Sequence, residues 1–137
     1  MRDVFLMIGE IGLVTILTDN VRVFADFYSR ILGFEKPYES ENYVEFKSEG
    51  VRFAVCARSV LYRMTNHASY GESRKGQSFE LAFPVTSSED VDCAYHEIVE
   101  KGAIPIQALH DTPWRRRTAI FADPDGNIHE LYGPEER

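Results

Sequence analysis

The sequence predicts an α+β fold in which one β-α-β-β-β unit occurs twice within a single domain over residues 1–137. Two observations carry this. The order of apolar runs, helix signals and turn residues between Ile11 and Cys56 recurs between Phe79 and Tyr132. The two stretches also overlay: matching Leu13 to Glu80 brings Tyr28 onto Tyr95 and Ile31 onto Ile98 at the same 67-residue offset. Matching the turn glycines Gly50 and Gly126, 76 residues apart, sets Ala54 opposite Glu130. The two modules are expected at about residues 8–58 and 78–133.

The first unit opens with a β-branched, apolar run from Ile11 to Leu17, which reads as a strand. Thr18-Asp19-Asn20 then supplies N-cap residues, whose side-chain oxygens accept the amides that a first helical turn leaves unpaired. Val21, Phe24, Tyr28, Ile31 and Leu32 keep helical spacing, and Gly33 suits a left-handed C-cap. A hairpin follows, in which Tyr43 to Lys47 alternates, Ser48-Glu49-Gly50 turns and Val51 to Cys56 returns.

In the second unit Phe79 to Val85 predicts a strand, and Ser87 followed by Asp90 makes a capping-box-like helix start. Val91, Ala94, Tyr95, Ile98 and Val99 form the apolar stripe of that helix, which stops at Gly102. Ile104 to Ala108, Arg117 to Ala122 and Asn127 to Tyr132 read as strands, the last two joined by the turn Asp123-Pro124-Asp125-Gly126. Between the units, residues 57–77 are polar and include Arg58, Tyr62, Arg63, Met64, His67, Tyr70 and Lys75. They are expected to form a long loop, either a lid over a site or a surface linker.

Composition narrows the function classes. Fifteen basic against 22 acidic side chains give a net charge of −7. That balance argues against a nucleic-acid partner, which needs a basic face, and against an anionic membrane surface. A chain of this length buries about two-thirds of its unfolded surface, so stability does not require disulfides or a metal. Cys56 and Cys93 lack C-x-x-C spacing and are expected as small core residues. No run approaches the roughly 18 apolar residues of a membrane span, and the N-terminal apolar stretch is too short for a signal-peptide core. A cytoplasmic protein is expected.

Three strings carry a family resemblance: Phe27-Tyr28-x-x-Ile31-Leu32-Gly33-Phe34, Glu80-Leu81-Ala82-Phe83, and Phe121-Ala122-Asp123-Pro124-Asp125-Gly126-Asn127-Ile128-His129-Glu130-Leu131. The chain resembles the glyoxalase / bleomycin-resistance / dioxygenase superfamily, also called the vicinal oxygen chelate (VOC) superfamily, over residues 11–133. The resemblance implies two modules whose sheets curl into a barrel-like, concave cup, usually in a homodimer with swapped or side-by-side modules. In metal-dependent members four cup positions supply His, Gln or Glu to a divalent metal that chelates two neighbouring substrate oxygens. Carried onto this chain, those positions are Leu13, Ala54, Glu80 and Glu130.

Leu13 and Ala54 have no lone pair to donate, whereas a catalytic transition-metal site normally takes about three protein ligands. The expectation is therefore a cup without a metal cofactor. A metal would need Glu80 and Glu130 together with a histidine from elsewhere, such as His67 or His110. With Glu130 directed into the cup, its neighbour His129 points away from it, and His129 and His96 are both expected to be exposed.

On a strand, residues two apart share a face, so Leu13 and Thr15, Ala54 and Cys56, Glu80 and Ala82, and Glu130 and Tyr132 are expected to line one mostly apolar surface. Two carboxyls there are either satisfied structurally, by Arg117, Tyr132 or the backbone, or they engage a ligand. In the second case Glu80 and Glu130 act as a general base or as acceptors for a cationic or hydroxyl-bearing molecule. Trp114 and Arg117 match the family's W-G-x-R string, with Arg115 in the glycine's place, and offer an aromatic wall and an anion clamp. Three functions follow. The first is a dimeric, metal-free small-molecule binder, which the bleomycin-resistance branch resembles in sequestering drugs. The second is a metal-dependent lyase, isomerase or dioxygenase, and the third a metal-independent isomerase with a glutamate base.

Overall fold

The computed structural model describes residues 9–72, 76–77, 79–111 and 117–134, and of residues 109–111 the backbone alone. The first unit comprises β1 (Leu13–Thr18), α1 (Val21–Asp26) with a continuing π-helical turn (Phe27–Ile31), β2 (Tyr38–Glu39), β3 (Tyr43–Phe46) and β4 (Arg52–Ala57). After α2 (Arg58–Thr65) and a 3-10 turn (Ala68–Gly71) come β5 (Ala82–Pro84), α3 (Ser88–Lys101), β6 (Ile104–Asp111), β7 (Arg117–Ala122) and β8 (Ile128–Tyr132).

Two four-stranded sheets have the same internal order, β1-β4-β3-β2 and β5-β8-β7-β6. Each pairs its first strand parallel to its last and closes an antiparallel hairpin beside it. The α+β expectation holds, and the register reproduces the internal repeat. Thr15 pairs with Ala54 in the first sheet and Ala82 with Glu130 in the second, at the two offsets found in the sequence.

The helix boundaries follow their caps. Asn20 accepts from the Val23 amide at 3.2 Å, Ser87 accepts from the Asp90 amide, and Gly102 ends α3 at a φ of 125°. The first helix ends differently from the expected regular helix: the Leu32 amide donates to the Phe27 carbonyl, five residues back. This wide turn buries two adjacent rings. Phe27 stacks on Phe121 of the second sheet at 6.5 Å, while Tyr28 meets Phe53 of the first edge-on at 5.1 Å. Helix α1 thus covers its own sheet and reaches the other, making one continuous core. Each such buried ring contributes about 2–3 kcal/mol.

Three expectations change. Residues 57–77 hold α2 and the 3-10 turn rather than an irregular loop; α2 is eight residues long and none of them is buried. Cys93 is exposed on α3, off the stripe formed by Val91, Tyr95 and Ile98, whereas Cys56 is buried. The strand expected over 79–85 shortens to Ala82–Pro84. No helix among the described residues is long and apolar enough to cross a membrane.

Candidate functional site

Strand alternation divides each sheet into a face against the helices and a face away from them. On β8, His129 and Leu131 are buried while Glu130 and Tyr132 are half-buried. The pairs Ile120–Glu130 and Thr118–Tyr132 extend the helix-distal face across β7. In the first sheet the equivalent face carries the pairs Leu13–Arg52 and Thr15–Ala54, with Glu45 opposite Ala54 and Tyr43 opposite Cys56. Leu13 is 38% exposed, Thr15 is half-buried, and Ala54 and Cys56 are buried. Glu80 and Ala82 are exposed.

The two sheets meet at their edge strands. Val14 and Phe53 line one cavity of about 400 Å³ together with Leu81, Phe83 and Pro84, which brings β1 and β5 together. Thr18 Oγ1 donates to Asp125 Oδ2 at 2.9 Å, tying the end of β1 to the turn before β8.

The remaining candidates lie elsewhere. Arg117 alternates with Ala119 and Phe121, because the register pairs Thr118 with Tyr132; it belongs to the helix side of β7 and not to the face of Glu130. His67 is exposed and caps the 3-10 turn, its Nδ1 accepting the Ser69 amide at 3.2 Å. His110 pairs with Thr118 through the backbone, and its side chain lies outside the described residues, as does all of Trp114. His96 is exposed beside Asp92, at 3.2 Å. Among the described residues no group of three or more His, Cys, Asp or Glu is placed to hold a metal ion. The four positions expected from the family resemblance include Leu13 and Ala54, whose side chains offer a metal no donor atom.

Two polar clusters escaped the sequence reading. The first lies on the helix-distal face of the first sheet. Arg52 donates from Nε to Glu45 Oε2 at 2.9 Å and from Nη2 to Oε1 at 2.8 Å, and the Tyr43 hydroxyl donates to Oε1 at 3.0 Å. The bidentate Arg52 contact, aided by Tyr43, holds the Glu45 carboxyl down at about 2. The alternation of Tyr43, Glu45 and Lys47 already put the tyrosine and the glutamate on one face, but the return strand had to be registered to add Arg52.

The second cluster corrects the expected exposure of His129, which is 1% exposed. The side of β8 opposite Glu130 faces the helices and not solvent. The Leu81 amide donates to His129 Nδ1 at 3.1 Å, so the ring proton resides on Nε2, 3.0 Å from the Tyr28 hydroxyl. That hydroxyl donates to Asp123 Oδ2 at 2.7 Å. Asp123 also accepts from the Asn127 side chain at 2.7 Å and from the backbone amides of Asp125 and Asn127. Burial pushes the Asp123 carboxyl up, but its bonds with His129, Asn127 and Tyr28 outweigh this and hold it below the usual carboxylate range. Burial, then the charge of Asp123, pushes the Tyr28 phenol well above the usual tyrosine range.

A sequence profile described as Glyoxalase/Bleomycin resistance protein/Dioxygenase superfamily matches residues 10–131. The uncharacterized protein YraH of Bacillus subtilis (strain 168) is 29% identical over 123 residues, covering 87% of this chain and 94% of YraH. The crystal structure of a glyoxalase/bleomycin resistance protein/dioxygenase family enzyme from Burkholderia phytofirmans PsJN superposes with a TM-score of 0.82 at 23% identity, covering 91% of this chain and 98% of that one. Lactoylglutathione lyase from Agrobacterium tumefaciens superposes with a TM-score of 0.66 at 19% identity, covering 91% and 93%. At these identities the two structures show a shared fold.

Proposed function

Since the chain belongs to the Glyoxalase/Bleomycin resistance protein/Dioxygenase superfamily, we propose that it is a metal-independent small-molecule-binding protein whose ligand rests on the helix-distal faces of the two sheets. One observation carries this reading. The register makes Ala54 the counterpart of Glu130, and the repeat makes Leu13 the counterpart of Glu80, so the first module has apolar side chains where the second has carboxylates. Such a surface offers Leu13, Ala54 and Cys56 beside the Glu45–Arg52 pair on one sheet and two carboxyl hydrogen-bond acceptors on the other.

The ligand class follows from charge. Glu45 and Arg52 pair with each other on the first sheet, and the carboxyls of Glu80 and Glu130 on the second favour a cationic or hydroxyl-bearing molecule. Cys56, Thr15 and Tyr132 complete the lining. A homodimer, in which a second copy brings another pair of faces into play, belongs to the same reading.

Thermal-shift measurement with matched aromatic amines, polyols and aromatic carboxylates tests it. Amines or polyols should raise the melting temperature and carboxylates should not, with the shift reduced in Glu80→Gln and Glu130→Gln. Stabilisation by carboxylates alone, unchanged in both variants, would refute the assignment.

A further inference from the structure

Glu80 lies just before β5, a strand of only three residues, where the regular ladder to β8 has not yet begun. Side chains take the place of that ladder on either side of it. Upstream, the Gln77 amide imitates a backbone unit: its Oε1 accepts the Ile128 amide at 3.1 Å and its Nε2 donates to the Ile128 carbonyl at 2.9 Å. Downstream, the Leu81 amide donates to His129 Nδ1, while the Leu81 carbonyl accepts the Glu130 amide at 3.0 Å. Glu80 is thus bracketed by two side-chain attachments to β8, the strand that carries Glu130.

We propose that His129 is a positioning residue for Glu80. Its imidazole holds the Leu81 amide and thereby sets how Glu80 is presented beside Glu130, with Gln77 fixing the other side. The ring suits this role because its own orientation is imposed from the core. Nε2 is held by Tyr28, which is held by Asp123, so Nδ1 has no alternative tautomer and stays an acceptor. Phe83 and Phe121 meet the ring edge-on at 5.8 and 5.9 Å and prevent it from turning. An aliphatic side chain in the same place would fill the core equally well but leave the Leu81 amide without its acceptor. The link to ligand binding rests on the function proposed above; the link to Leu81 does not.

Residue-resolved amide exchange and long-range nitrogen correlation of the imidazole, on the ligand-free protein, test the two parts separately. The wild type should show the tautomer protonated at Nε2 and a protected Leu81 amide. In His129→Leu the Leu81 amide should exchange about tenfold faster or more, the loss of one ordinary hydrogen bond, while Val44 and Val55 of the first sheet keep their protection. His129→Asn should restore Leu81 protection, because its carboxamide oxygen can occupy the place of Nδ1. Should His129→Leu not fold, His129→Phe serves: it keeps an aromatic ring between Phe83 and Phe121 but offers no acceptor, and it should release Leu81 in the same way. Unchanged Leu81 exchange in His129→Leu or in His129→Phe would overturn the proposal. So would exchange in His129→Asn as fast as in His129→Leu. Normal Leu81 behaviour together with failed ligand selection would instead overturn the functional reading.

Discussion

The hydroxyl of Tyr28, in the π-helical turn, lies 3.0 Å from Nε2 of His129 on β8, joining residues 101 apart in the chain inside a shared core. This contact ties the helix of the first unit to the last strand of the second. Tyr28→Phe should therefore do more than remove one hydroxyl, since it also deprives Asp123 and His129 of a partner. Chemical denaturation should show a loss of about 1–3 kcal/mol. A loss confined to a few tenths would mean that this hydroxyl contributes little to holding the two units together.

Asp123 makes the fold sensitive to acid. Its carboxyl is held below the usual range in the folded protein, so it adds stability above the unfolded value, about 3.9, and that contribution vanishes as pH falls through the folded value. Urea midpoints should drop below about pH 4. Asp123→Asn directs an amide at Tyr28 and Asn127, both donors, and should cost about 3 kcal/mol near neutrality while flattening this acid dependence.

Gly133 is needed for closeness and not for backbone angle. A Cβ there would lie 3.1 Å from Ser88 Cα, 3.3 Å from Val91 Cγ2 and 3.4 Å from the Ser87 carbonyl, so the start of α3 would have to move away from the end of β8. Gly133→Ala should lower stability by about 1–3 kcal/mol, measured by thermal or urea unfolding. Gly126→Ala should also cost stability, for a different reason, because its φ of 84° is strained for any side chain while open space surrounds it.

The Glu45 carboxyl should titrate near 2, followed by carbon chemical shifts. Arg52→Met removes the bidentate partner and should return Glu45 towards the usual carboxylate range. A titration unaffected by Arg52→Met would show that Tyr43 and the strand backbone dominate.

The repeat, the helix caps and the face bearing Glu130 were legible in the sequence because each rests on local spacing or local side-chain chemistry. Ser87 caps α3 and the DPDGN turn forms where its residues require. The placement of His129 was half legible: alternation removed it from the face of Glu130, but only the tertiary arrangement reveals that helices, and not water, lie on its other side. Arg52 and Glu45 needed strand register, which spacing within one strand cannot supply. Helix α2 escaped for a different reason. It is eight residues long and buries none of them, so Val60, Leu61 and Met64 are too few to set its short apolar pattern apart from the polar stretch around it.

A ligand site that works without a metal should leave the protein free of stoichiometric metal. The most direct test is divalent-metal content per subunit, measured on untagged protein purified without chelator and again after incubation with manganese, iron, nickel or zinc. Neither sample should hold stoichiometric metal. About one tightly held metal per subunit, lost in Glu80→Gln and Glu130→Gln, would contradict it.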